Sequence, residues 1–326
     1  MRINTLRLAF FVLAASLDIG PCIGQTPPQS CFIPLVATRY NPATSTVQLV
    51  EGLAASDLKL TIGSKTVPVA NISTDSGPKR VALVLDASRK VPEAEWQLET
   101  DMAAALVRNG RRDDRFALVL TGQETTPFPF QSAGDIQRQL NELYSNRPLA
   151  SDGSERNFDA LKVAASSLNP PSFGDVVFLF GHPEDDGSAA TFDQIKQIIL
   201  EGGTRLYGIS FTDPLRNKFP AGFDPNKPLP NSFVPAKLDQ LAHLTGYFVS
   251  YHSLEALAQP GQNRLFRNFL VDLYAGIASP YRIEIPSASI STQSSLEVEI
   301  NREIYKHDIH YPQVIYPCTN PPSSKL

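Results

Sequence analysis

Between about residue 80 and residue 275, short, mainly apolar runs alternate with longer segments whose apolar positions recur at a helical period. Val81–Leu85, Phe116–Thr121, Val176–Phe180, Leu206–Phe211 and Phe248–Tyr251 are the short runs, and such a pattern reads as strands buried on both faces. Helices are expected between and after them. One runs from Pro92 to about Asn109 and is closed by Gly110; a second starts at Ser132 or Ala133 and ends at Tyr144. Phe158–Leu168 is stopped by Pro170-Pro171, and Thr191–Glu201 is closed by Gly202-Gly203. Pro235–Thr245, capped by Gly246, and Leu265–Ala275 complete the set. This alternation predicts an α/β fold: a doubly wound, mostly parallel sheet with helices on both faces. Thr125–Gln131, with Pro127 and Pro129, can enter only as an edge strand or extended loop, which brings the expected sheet to six strands.

Both flanks read as β structure. Phe32–Arg39 and Val47–Val50 are separated by the turn signal Asn41-Pro42, and Leu58–Ile62 and Thr66–Ile72 by Gly63-Ser64. After Pro280 come Tyr281–Ile285, Leu296–Ile300 and His310–Tyr316. Thr212–Val234 interrupts the rhythm with five prolines and three phenylalanines, and a segment this long is expected to be functional or disordered. The expected organisation is an export signal over 1–24, an N-terminal β segment over 25–76, an α/β domain over 77–278 and a C-terminal β segment over 279–326. The two flanking segments are candidates for one small β module.

Composition changes this picture little. The 326 residues, 42% hydrophobic and 19% charged, suffice for a sizeable core. A net charge of -4 argues against a general nucleic-acid binder, which needs a basic stripe. The N-terminus does add something. Arg2 and Arg7 precede the apolar stretch Leu8–Leu17, the pattern of an export signal cleaved near Gly24 and too short to span a bilayer as a helix. The expectation is an exported protein, periplasmic or secreted, with no membrane span after cleavage. Ile19-Gly20-Pro21-Cys22 approximates a lipoprotein box, so a lipid anchor at Cys22 is the minor alternative. Cleavage leaves Cys31 and Cys318, a disulfide candidate in an oxidising compartment. A bridge closing so long a loop would stabilise by about 4–5 kcal/mol in the chain-entropy picture.

Catalytic chemistry is not signalled. The sequence has no Gly-x-Ser-x-Gly elbow, no Gly-x-Gly-x-x-Gly and no phosphate loop. His307 and His310, three apart on a strand, face opposite sides and make poor joint ligands. Asn71-Ile72-Ser73 is a glycosylation sequon of a kind that is frequent by chance. The expectation is a protein that is not an enzyme; a hydrolase without a recognisable motif is a further alternative.

The most informative stretch is Arg80–Lys90, where the apolar run ends in Asp86-Ala87-Ser88. An acid and a hydroxyl at the carboxyl end of a buried strand sit where open α/β sheets bind ligands. This loop resembles the first metal-binding loop, Asp-x-Ser-x-Ser, of a von Willebrand factor type A (VWA) domain, with Lys90 in place of the second Ser. Phe158-Asp159-Ala160-Leu161 resembles that family's third helix, and Leu179-Phe180-Gly181 with Glu184–Ser188 its fourth-strand loop. Leu238-Asp239-Gln240-Leu241-Ala242 followed by Thr245-Gly246-Tyr247 is similar to its fifth-helix signature. Val47–Leu53 and Asp57–Leu60 resemble the short β module that precedes the domain in exported bacterial VWA-related proteins. The resemblance covers about three-quarters of the chain and implies a VWA/Rossmann-like fold and a protein-binding or adhesion role.

In that family three loops hold Mg²⁺ or Mn²⁺ through oxygen ligands, and a partner's carboxylate completes the site. Asp86 and Ser88 match the first loop. The second-loop Thr falls on Glu155, beside Ser154, and the third-loop Asp falls on Gly181, beside His182. With so few ligands kept, the resemblance implies a degenerate, metal-free adhesion site and no cofactor. Lys90 is expected to supply the positive charge that Asp86 and Glu155 need. The alternative is a metal-dependent (Mg or Mn) site with ligands restored by Asp185 or Asp186. A third reading has Asp86 and Ser88 merely capping the following turn. The expected binding face is therefore Asp86, Ser88, Lys90, Ser154, Glu155, Gly181 and His182, with a protein or cell-surface component as partner.

Overall fold

The computed structural model of the protein describes residues 30–41, 46–89, 91–121, 127–148, 156–181, 185, 187–212, 237–247, 249–253, 257, 259–301 and 309–317. The chain opens with strands β1 (Ser30–Asn41), β2 (Thr46–Leu49), β3 (Leu58–Ile62), β4 (Lys65–Val67) and β5 (Asn71–Thr74). Strands and helices then alternate through β6 (Arg80–Leu85), α1 (Glu93–Arg108), β7 (Arg115–Leu120), α2 (Ala133–Ser145), α3 (Asn157–Ser167) and β8 (Val176–Phe180). The alternation continues with α4 (Phe192–Glu201), β9 (Arg205–Thr212), α5 (Lys237–Leu244), β10 (Val249–Ser253) and α6 (Pro260–Ala278). The chain returns to β structure in β11 (Tyr281–Pro286), β12 (Ser294–Ile300), β13 (Ile309–His310) and β14 (Val314–Ile315).

The central sheet has the order β10-β9-β8-β6-β7 and every pairing in it is parallel. Alternate residues of β6, β7, β8 and β9 feed two separate cores. Leu83, Leu85, Phe116 and Phe178 pack under α1, α2 and α6, with Trp96, Leu106, Ile136 and Leu270 opposite them. Val84, Val119, Val177 and Leu179 pack under α3, α4 and α5, against Leu161, Ile195 and Leu241. Burial on both sides is why these strands read as unbroken apolar runs.

Among the described residues the sheet has five strands, not the six expected. The described part of the segment expected at its edge, from Pro127 on, pairs with β7 through two isolated antiparallel bridges, Phe116 with Gln131 and Val119 with Pro127. Pro127 and Pro129 have no N–H to donate, so a regular ladder cannot form there. The last helix begins at Pro260 rather than Leu265, with proline at its first turn. The stretch expected as one strand, His310–Tyr316, splits between two sheets, since β13 pairs with β1 and β14 with β12. Most of the proline-rich 212–234 segment lies outside the described residues.

The terminal segments pair with each other. β1 lies antiparallel to β11, with Ile33 opposite Ile283, and β5 flanks β11 on its other side. β3 lies antiparallel to β12, with Leu60 opposite Val298. Ile33, Leu35, Leu60, Ile283 and Val298 meet in one apolar core between these antiparallel sheets. Cys31, 1% exposed, belongs to that core and is disulfide-bonded. Cys22 and Cys318 both lie outside the described residues.

The chain leaves and re-enters this β layer at neighbouring positions, because Thr74 pairs with Tyr281 and the Asp75 N–H donates to Pro280 O at 2.8 Å. A buried polar network fastens the crossing. Lys79 Nζ donates to Asp75 Oδ2 at 2.5 Å and to Gly77 O at 2.7 Å. Asp114, fully buried, accepts from the Lys79 N–H at 2.7 Å, the Arg111 N–H at 2.8 Å and the Tyr274 hydroxyl at 2.6 Å. Arg205 donates to Gly174 O at 2.6 Å and to Ile277 O at 2.9 Å, placing its charge at the negative end of α6. Among the described residues no helix is long and apolar enough to cross a membrane.

Candidate functional site

In the central sheet the chain moves from β6 outward to β7 on one side and later to β8 on the other. The crevice at such a reversal, beyond the carboxyl ends of the strands, is where open α/β sheets take ligands. Asp86 follows β6, Thr121 follows β7 and Gly181 follows β8. The register that sets Leu85 beside both Leu120 and Phe180 brings these three residues together.

Asp86 and Ser88 are fully buried. Asp86 Oδ1 accepts from the Ser88 N–H at 2.9 Å and from the Thr121 hydroxyl at 2.8 Å. The Asp86 N–H donates to Glu99 Oε2 at 3.1 Å, and the Ala87 N–H to Thr121 Oγ1 at 3.0 Å. Asp86 Oδ2, Ser88 Oγ and Glu99 Oε1 are buried and have no hydrogen-bond partner among the described residues. Burial, then the charges of Asp86 and Glu95, pushes the Glu99 carboxyl well above the ordinary carboxylate range. The loop thus covers a packed acidic group in which burial and the neighbouring carboxylates favour the protonated form of Glu99.

On the far side, Arg147 Nη1 donates to Val91 O at 2.7 Å and Nη2 donates to Ser88 O. Its guanidinium lies 5.2 Å from the centre of the Trp96 ring, within range of a cation–π contact. Trp96 in turn donates its indole N–H to Leu143 O at 2.9 Å, tying α1 to the end of α2.

Of the expected face, Asp86, Ser88 and Gly181 meet at the strand ends. Lys90, Ser154, Glu155, His182 and Asp186 lie outside the described residues. Asp185 is committed elsewhere: Oδ2 accepts from the Phe158 N–H at 2.7 Å and the Ser188 hydroxyl at 2.7 Å, and Oδ1 from the Ser188 N–H at 3.2 Å. It serves the N-terminal turn of α3, so its place in a restored ligand set is not supported. Three contributors escaped the sequence reading. Thr121 was visible in principle, since it ends its apolar run in register with Asp86. Glu99 and Arg147 carry no local signal.

In the family that the sequence resembles, a divalent cation lies at this place. The described donors with free lone pairs are Asp86 Oδ2 and Ser88 Oγ, whereas Mg²⁺ asks for near-octahedral coordination by oxygen. No group of three acidic, histidine or cysteine side chains suited to a metal occurs among the described residues. Of the third loop, the position where the resemblance expects the ligand Asp is Gly181, which has no side chain and no room for one. Gly181 sits at φ 137°, and a Cβ placed there would lie 2.7 Å from Asp86 Cβ. The described residues do not fit a divalent-ion site. Gly181→Asp, which restores the family residue, is therefore expected to destabilise by about 3 kcal/mol or more, through overpacking and backbone strain. Urea unfolding of the variant in chelator and in Mn²⁺ checks this; recovery in Mn²⁺ would show that the position can hold a ligand after all.

Several solved structures share part of this chain trace. Proximal thread matrix protein 1 from the mussel byssus, solved with a zinc-occupied MIDAS motif, is 16% identical over 66% of this chain and 50% of that one, with a TM-score of 0.47. The conserved hypothetical protein BatB from Bacteroides thetaiotaomicron is 12% identical over 61% of this chain and 99% of its own, at 0.43. A von Willebrand factor type A protein from Catenulispora acidiphila is 12% identical over 76% and 50%, at 0.44. The chain spans about half the length of the byssus protein chain. No family model matches the sequence, and no curated protein matches it. The parallel sheet order, the helices on both faces and the Asp86-Ala87-Ser88 loop at the central strand end are those of an open, doubly wound α/β fold.

Proposed function

We propose that this is an exported, non-catalytic VWA-like protein that binds another protein or a cell-surface component without a bound metal. The contact face is the strand-end crevice around Asp86, Ser88, Lys90, Ser154, Glu155, Gly181 and His182. The observation that carries this reading is Gly181, whose backbone conformation and contact with Asp86 leave no space for the third-loop ligand. Thermal melting in Mg²⁺ or Mn²⁺ against chelator tests it. An ion that binds only the native state raises the melting temperature by mass action, and the expected result is no shift. A clear rise in Mn²⁺ would overturn the metal-free reading. It would favour the metal-dependent alternative, for which the unpartnered Asp86 Oδ2 and Ser88 Oγ speak.

Export to the periplasm or beyond accords with a disulfide at buried Cys31. We take its partner to be Cys318, which would clasp the first β segment to the last. The proposed division is a β module, built from 25–76 and 279–326, that holds the 77–278 α/β domain as an insertion. Non-reducing peptide mapping is expected to recover Cys31 and Cys318 in one linked fragment; a linked Cys22 or free thiols would remove this assignment.

A further inference from the structure

A loop that wraps a cation in related folds needs another way to hold its shape when the ligand set does not fit a cation. Here the carbonyls of Ser88 and Val91 are gathered by one guanidinium, that of Arg147. Arg147 is held in turn. Its face lies over Trp96, and Trp96 is pinned by its indole N–H to Leu143, four residues before Arg147. The guanidinium is half-buried, and its charge acts on the buried Glu99, whose neighbours are Asp86 from the loop and Glu95 from α1. A planar donor fork on two carbonyls, with its charge beside packed carboxyls, does two tasks of a structural cation.

We infer that Arg147 is a positioning residue that takes the structural place of the metal, fixing the 86–91 loop from within the chain. The inference rests on the metal-free reading of the site. It places a positive charge beside the packed carboxyls from a residue beyond α2; Lys90, which the sequence offered for that task, lies outside the described residues.

The test is hydrogen exchange of the full chain and its Arg147→Ala variant in chelator. The Ser88 and Val91 amides are expected to exchange about tenfold faster or more in the variant, the size of one lost charge-assisted hydrogen bond. The amides of β6 and β7 should keep their wild-type rates. Fluorescence of Trp96, the chain's one tryptophan, should change in parallel. Methylguanidinium added to the variant should slow the loop amides again. Urea, of similar shape but neutral, should not. Unchanged loop amides, a loss spread evenly over β6 and β7, or equal rescue by urea would each overturn the inference. If the alanine variant fails to fold, Arg147→Lys takes its place: it keeps the charge without the fork and is expected to speed the same two amides less. Loop amides at wild-type rates in that variant would equally overturn the inference. A separate wild-type arm with Mn²⁺ keeps the two ideas apart. Slowing of the wild-type loop by Mn²⁺ would sink the metal-free reading, whereas the rescue pattern in chelator judges Arg147 alone.

Discussion

Asp114→Ala is expected to lower the unfolding free energy by about 3–5 kcal/mol, the range for breaking a buried charged network on one side. The carboxylate is fully buried and receives the Lys79 N–H, the Arg111 N–H and the Tyr274 hydroxyl. These come from the start of β6, the turn before β7 and the last helix, so one deletion strands donors on three elements. Burial alone would raise the Asp114 pKa, but the bonds from Tyr274, Lys79 and Arg111 outweigh it and hold it below the ordinary value. A depressed native pKa means that the stabilisation is present above the unfolded value. It is lost as the pH falls through the folded one. Urea unfolding across an acid series should therefore show the wild type converging on the variant at low pH. Tyr274→Phe in both backgrounds should give strongly non-additive losses, since both changes cut one network; additive losses would remove the network from the account.

Glu99→Gln should act in the opposite direction and raise stability at neutral pH by roughly 1–3 kcal/mol. Glu99 is fully buried against Asp86 and Glu95. Its folded pKa is raised, so the native state keeps a proton that the unfolded chain releases. Stability is then full below the unfolded value and declines as the pH rises toward the folded one. A glutamine keeps an acceptor for the Asp86 N–H and has no proton to lose. Denaturant midpoints between about pH 4 and 8 should fall with pH in the wild type and flatten in the variant. A variant that is less stable at neutral pH would mean that the Glu99 carboxylate is ionised and needed.

The parallel layer was legible because burial on both faces leaves no polar position inside β6, β7 or β8. The missing edge strand had its cause in plain view, in Pro127 and Pro129. The partnership of the two β segments was harder, since Leu60 and Val298 pair across most of the chain and no local pattern records that. At the site, Asp86, Ser88 and Gly181 could be read because strand ends carry positional meaning. Glu99 could not. Acids on a helix count as solvated in any periodicity, yet α1 buries Glu95, Trp96, Glu99 and Thr100 together. Arg147 was invisible for another reason: its work is done on backbone carbonyls, which no side-chain pattern encodes.

The pairing of β1 with β11 also sets an order of events during synthesis. When Ser30–Asn41 leaves the ribosome, its partner Tyr281–Pro286 does not yet exist, and the same holds for Leu58–Ile62 and Ser294–Ile300. The α/β layer, whose strands all lie between residues 80 and 253, can assemble on emergence, because domains form as units from the N-terminal side. The first five strands must wait with open edges until the chain from Tyr281 onward arrives. A chain that stops at Ala278 would keep the parallel sheet that carries its candidate binding crevice and leave β1, β3 and β5 without their partners. Such a product is expected to be trapped as aggregate rather than released as a shorter working protein.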